Sequence, residues 1–300
     1  MMFFVGNGDI DNAATLNNPI YYYRLSCNHP TFVRCIIKRI IYVKMRKYIL
    51  LLLWLCSNVL YGQTGFEKEE FISSAGKRLG YQVLKPNHIG KGKKYPLVVF
   101  LHGSGERGSD NEAQMKHGSM MFTNPVNRER YPSFVLFPQC PAEQYWTFDK
   151  RPDDYSTDVF ESNPPITSTL TSVIELIEWY IANMPVDTRR IYLIGLSMGG
   201  MATFDLACRY PDLFAAAVPI CGGVNVSRLA NTAGKVSFRI FHGDADTVVP
   251  VDFSRRAYTE LTKHNAKIEY FEFPGAGHDS WTPAFNRDDF MKWIYRQKKR

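Results

Sequence analysis

Three hundred residues, 45% of them hydrophobic and 22% charged, suffice to bury a full core and exclude disorder along the whole chain. The formal net charge of +7 sits mostly at the front: of 36 basic and 29 acidic side chains, residues 1–62 hold seven and two, leaving 29 and 27 downstream. A chain so near neutrality from residue 63 onward offers no electrostatic case for nucleic acid as a partner, and none for stable membrane association.

In chain order, residues 1–44 show neither sustained helical periodicity nor alternating strands. We read them as a mis-assigned or disordered upstream extension. From Met45 the three-part build of a secretory signal follows: Arg46 and Lys47, the apolar run Tyr48 to Cys56, then Ser57 to Gly62. That run is nine residues long, whereas a bilayer span needs about 20, so a cleaved signal over 45–62 and a secreted or periplasmic bacterial location are expected. Residues 63–300 are then one catalytic domain. Its three cysteines, Cys140, Cys208 and Cys221, have no metal-ligand spacing and are assigned to packing.

From residue 66 short apolar runs alternate with segments of helical spacing. Residues 67–72 and 80–84 read as an antiparallel edge. Strands are predicted at 97–101, 134–137, 191–194, 214–220, 238–241 and 268–273, and helices at 167–183, 198–210, 252–264 and 286–297. Continuous apolar strands alternating with helices imply an α/β fold: a mostly parallel, doubly wound sheet with helices on both faces.

Three loops at strand ends carry chemistry. The strand at 191–194 runs into Gly195-Leu196-Ser197-Met198-Gly199-Gly200, a G-x-S-x-G turn whose glycines leave room while Ser197 projects its hydroxyl. A serine hydroxyl needs a base, and the base an orienting acid. His278 in Gly277-His278-Asp279-Ser280-Trp281 is the candidate base, and Asp244 or Asp246 in His242-Gly243-Asp244-Ala245-Asp246 the candidate acid. The third loop, His102-Gly103-Ser104-Gly105-Glu106-Arg107-Gly108, turns backbone N–H groups toward a substrate carbonyl. With the amide of Met198, that of Ser104 or Gly105 would complete an oxyanion hole. His102 and His242 are read as braces of strand-end loops, and Glu106 and Arg107 as a salt-bridged loop. Gly105, Trp281 and Trp146 are candidate substrate contacts, the indoles as flat surfaces for a sugar or aromatic acyl group.

Together with Phe137-Pro138-Gln139-Cys140-Pro141 and the His242 to Pro250 stretch, these motifs resemble the dienelactone-hydrolase and carboxylesterase branch of the α/β-hydrolases. More narrowly, the chain is similar to secreted bacterial relatives of polyhydroxybutyrate depolymerases and of feruloyl or acetylxylan esterases, often labelled predicted peptidases. The likeness covers about residues 66–298. It implies an α/β-hydrolase fold, the pattern H-G-x-x-D-x-x-V-P that selects Asp246 as the acid, no metal and no cofactor, and a small-molecule or carbohydrate ester as substrate. Dienelactone hydrolases carry Cys as nucleophile, whereas Ser197 stands here. A peptidase with the same residues and an inactive carbohydrate-binding module are the rival readings.

Overall fold

The computed structural model describes residues 65–300 except 151, 153, 156–158, 265 and 300. The extension expected over 1–44 and the signal expected over 45–62 lie outside the described residues.

Strands β1 (Phe66–Ile72) and β2 (Arg78–Leu84) pair antiparallel, and β1, at the sheet edge, is exposed except at Phe66 and Phe71. β3 (Tyr95–Leu101) is buried along its whole length. After it come two short helices absent from the sequence reading, α1 (Ser119–Thr123) and α2 (Pro125–Arg130), the second capped by the Asn124 side chain with Pro125 at its first position. β4 (Phe134–Pro138), α3 (Ser168–Asn183), β5 (Val186–Leu196), α4 (Met198–Arg209), β6 (Ala216–Ile220), β7 (Ser237–Gly243), α5 (Asp252–Lys263) and β8 (Ile268–Phe273) then alternate. The chain closes with α6 (Trp281–Phe285) and α7 (Phe290–Arg296), where a single helix over 286–297 was predicted.

The eight strands form one sheet in the order β1-β2-β4-β3-β5-β6-β7-β8. β2 meets β4 antiparallel, and every pairing from β4 across to β8 is parallel. This is the α/β-hydrolase arrangement that the resemblance implies. Alternate residues of β3 divide between two cores: Leu97, Val99 and Leu101 pack with α3, α4 and α5, while Val98 and Phe100 pack with Phe122 and α7. Both faces of the parallel strands are therefore covered, which is why their runs are continuously apolar. Among the described residues, no helix is long and apolar enough to cross a membrane.

Candidate active site

The C-terminal ends of β3, β5, β6, β7 and β8 converge, and the loops leaving them build the site. β5 ends at Leu196 and α4 begins at Met198, so Ser197 alone makes the turn. Its backbone sits at φ 54°, ψ −118°, a conformation that costs a non-glycine residue about 1–3 kcal/mol and is kept only where the surroundings impose it. Here the Ser197 N–H donates to the Ile220 carbonyl at 2.9 Å while the Ser197 carbonyl accepts from Met201 N–H at 3.0 Å. The flanking glycines are required by contact: a Cβ on Gly195 would stand 2.1 Å from the Gly199 carbonyl oxygen, and one on Gly199 would stand 1.9 Å from that of Leu101.

One imidazole and one carboxylate line up behind the serine. His278 Nε2 lies 2.9 Å from Ser197 Oγ, and its Nδ1 lies 2.7 Å from Asp246 Oδ2. The other oxygen of Asp246 accepts the N–H groups of Val248 (2.8 Å) and Val249 (3.0 Å). Burial alone would raise the Asp246 pKa. Hydrogen bonds from His242, His278 and the Val249 amide override it and hold the carboxyl well below the usual range. Asp244 is exposed and turns away, accepting the Gly275 N–H at 2.7 Å.

The two remaining strand-end histidines are structural. His102 Nε2 accepts the Cys140 N–H at 2.9 Å, so its proton is on Nδ1, which donates to the Gly103 carbonyl at 2.6 Å. Burial pulls its pKa down to about 4 and keeps the ring neutral. His242 is likewise buried: Nε2 donates to the Val249 carbonyl at 3.0 Å, and Nδ1 accepts from Ser254 Oγ at 2.7 Å.

Met198 and Ser104 each open a helical turn, and the first N–H groups of a helix have no partner within it. Those two amides, with the positive end of the α4 dipole, make the surroundings of Ser197 suited to an oxyanion. Gly105 is exposed with open space about it.

The expected salt bridge between Glu106 and Arg107 does not form. Arg107 instead donates to the carbonyls of Ser104 (2.9 Å) and Ala142 (2.8 Å) and lies 4.1 Å over the Tyr145 ring, tying the Ser104 loop to residues 142–145. Glu106 is buried and faces His117, Oε1 to Nε2 at 3.6 Å. His117, which the sequence reading passed over, rests against Trp281 (5.2 Å), whose ring meets His278 edge-on at 5.5 Å. Trp281 is thus a wall of the site. Trp146 is not: it is fully buried, with its indole N–H donating to the His102 carbonyl at 3.0 Å. It has no free face for a substrate, and its role is to brace the loop that carries Ser104.

Cys221 is the other neighbour not singled out in sequence. Its thiol, the Asp246 carboxylate and the His278 ring bring metal-ligand atoms within 4.8 Å of one another. Burial pushes the thiol pKa up, and Asp246 and His278 are already bonded to each other, so this grouping suits packing better than a cation.

The chain resembles known proteins over most of the described residues. The family model described as Phospholipase/Carboxylesterase matches residues 88–290. A thermostable esterase of known structure superposes with a TM-score of 0.72 at 33% identity, over 79% of this chain and 64% of that one. The carboxylesterase SOBER1 of Arabidopsis thaliana is 22% identical over 68% of this chain and 91% of its own length. Poly(3-hydroxyalkanoate) depolymerase C of Paucimonas lemoignei is 28% identical over 51% of this chain, which spans only 34% of that longer protein.

Proposed function

The chain belongs to the phospholipase/carboxylesterase family, hydrolases of ester bonds on an α/β-hydrolase fold, and from that premise we propose a secreted serine esterase acting through Ser197, His278 and Asp246. Asp246 accepts the Nδ1–H of His278 and leaves Nε2 free to take the Ser197 proton. The Ser197 oxygen attacks the ester carbonyl. The resulting oxyanion is met by the N–H groups of Met198 and Ser104. Collapse expels the alcohol, protonated by His278, and leaves an acyl-serine. Water, deprotonated by the same Nε2, then attacks the acyl carbon and regenerates Ser197 as the acid departs. The observation that carries this reading is the unbroken pair of hydrogen bonds, 2.9 Å from Ser197 to His278 and 2.7 Å from His278 to Asp246.

For the substrate we propose a short or aromatic acyl ester of a carbohydrate. Trp281, partly buried against His278, supports a flat group bound beside the serine. The segment 142–165, which has lid-like length, is rich in charged residues. Its described apolar residues are pinned: Phe148, Val159 and Phe160 pack against Met201, Val249 and Phe253, and the Arg209 side chain donates to the Pro164 carbonyl. Such a segment is unsuited to opening onto a lipid surface. Export is supported by the signal-like residues 45–62. The test is kcat/KM on acetylated and feruloylated oligosaccharides against long-chain p-nitrophenyl esters and peptides. Faster turnover of the carbohydrate esters is expected, and faster turnover of long acyl chains or of an internal peptide bond would overturn the assignment.

A further inference from the structure

The far end of the sheet carries a concentration of charge that esterase chemistry does not use. A groove of about 480 Å³ runs beside the N-terminal ends of β3 and β5 and is lined by Lys93, Lys94, Arg130, Arg190, Lys292 and Arg296, with no Asp or Glu among its lining residues. The Arg190 guanidinium is paired with Asp187 at 2.8 Å. For the other five, no carboxylate partner is found among the described residues. All five are exposed.

Clustering of this kind is unfavourable unless something offsets it. Lys292 and Arg296 stand four apart on α7, a spacing at which like charges weaken a helix. The 29 basic and 27 acidic side chains of residues 63–300 would allow mixed-sign faces everywhere, yet this groove gathers, beside the paired Arg190, five cations that have no carboxylate partner among the described residues. We propose that it binds an acidic polysaccharide, a chain bearing uronate carboxylates.

The surroundings of the cations select this partner among polyanions. Single-stranded nucleic acid is held by aromatic rings free to stack on bases. Tyr131 and Tyr295 in this groove are stacked on each other instead, centroids 4.7 Å apart, and the Tyr295 hydroxyl is bonded to Ser133 Oγ at 2.6 Å. The third ring, Tyr95, is buried and its hydroxyl donates to the His88 carbonyl. An anionic membrane is met by an exposed apolar face flanked by cations. The groove is recessed, and its uncharged lining is Tyr and Pro. A flexible polymer with carboxylates at intervals fits both the recess and the spread of cations.

The choice of a polysaccharide rests on the carbohydrate-ester reading of Ser197. β3 runs from the groove at Tyr95 to the loop beside Ser197, about 20 Å at roughly 3.3 Å per residue. A polymer held in the groove thus tethers the enzyme to its matrix and leaves the reaction centre open.

Equilibrium binding of the exported protein to sodium polygalacturonate at low salt tests the proposal, with neutral xylan, single-stranded DNA and vesicles of phosphatidylglycerol and phosphatidylcholine as comparators. Polygalacturonate is expected to bind in preference to all three and to be released by salt. Lys292→Glu with Arg296→Glu should weaken that binding at least tenfold. Because α7 also packs into the core, Lys93→Glu with Lys94→Glu, in the turn leading into β3, serves as a second variant, and turnover of p-nitrophenyl acetate checks that each has folded. Unchanged binding by both double variants, or tighter binding of DNA, vesicles or neutral xylan, would overturn the proposal. Ser197→Ala separates the two readings: it should bind polygalacturonate as the parent does while hydrolysing nothing. A parent protein that binds polygalacturonate yet turns over no ester would remove the esterase reading and leave the groove.

Discussion

His242 stands directly behind Asp246: its Nε2 is 3.3 Å from Asp246 Oδ2, with both side chains fully shielded from solvent. The acid of the site is therefore held from two sides, by His278 in front and by a histidine anchored through Ser254 behind. Removing the rear support should let the carboxylate rotate. His242→Ala is expected to lower kcat/KM about ten- to a hundredfold, the loss of one hydrogen bond to a charged group. Ser254→Ala, which only loosens the His242 ring, should cost less. Steady-state kinetics on one soluble ester checks the ranking, and an inverted order would mean that His242 does not position the acid.

The two acids in the same loop give a second contrast. Asp246→Asn should lower kcat by about three to four orders of magnitude, because an amide no longer fixes the His278 tautomer or balances the imidazolium. Asp244→Asn removes only a solvent-exposed charge and keeps a side-chain oxygen able to accept the Gly275 N–H, so it should leave activity within the same order of magnitude. A larger loss at Asp244 would move the acid.

Most of this architecture was legible before any coordinates, and the reasons are specific. β3, β4 and β6 are buried on every residue, so their composition had to be apolar throughout, and the Gly195-x-Ser197-x-Gly199 spacing is dictated by carbonyl contacts near 2 Å. The helices α1 and α2 were missed because five and six residues are too few to show a helical period. The final helix was predicted four residues too early, since the turn from Asn286 to Asp289 has no strong breaker. Trp146 was misassigned because an indole beside a polar stretch reads the same whether buried or exposed; only the fold shows its N–H spent on His102. His117 carried no local signal, as it reaches the site from between two turns that have no periodicity.

The elbow glycines should be intolerant in proportion to their contacts. Gly199→Ala sets a methyl group against the Leu101 carbonyl, which is backbone and cannot swing aside. A destabilisation beyond about 3 kcal/mol is expected, with loss of soluble protein. Gly105→Ala meets open space and should change stability by less than about 0.5 kcal/mol. Thermal melts of the two variants compare them directly, and a well-folded Gly199→Ala would contradict the packing described.

His102 makes stability depend on pH in a defined direction. Burial lowers its pKa from 6.5 to about 4 in the folded protein, so between those values the unfolded chain binds a proton that the native state refuses. Stability should thus be lost as pH falls from 6.5 toward 4, by up to about 3 kcal/mol from this group. Urea unfolding at intervals across that window measures the slope. His102→Gln, whatever its starting stability, should flatten it, and an unchanged slope would assign the effect to other groups.

The central claim is that Ser197 is the nucleophile. A fluorophosphonate reacts with a serine only when a neighbouring base has activated it, so intact-mass and peptide analysis after brief exposure reads that activation residue by residue. One adduct, on Ser197, is the expected result, with parallel loss of ester hydrolysis, no adduct in Ser197→Ala, and a melting temperature for that variant close to the parent's. An adduct on any other residue, or Ser197→Ala protein that keeps more than a tenth of the parent activity, would contradict the account.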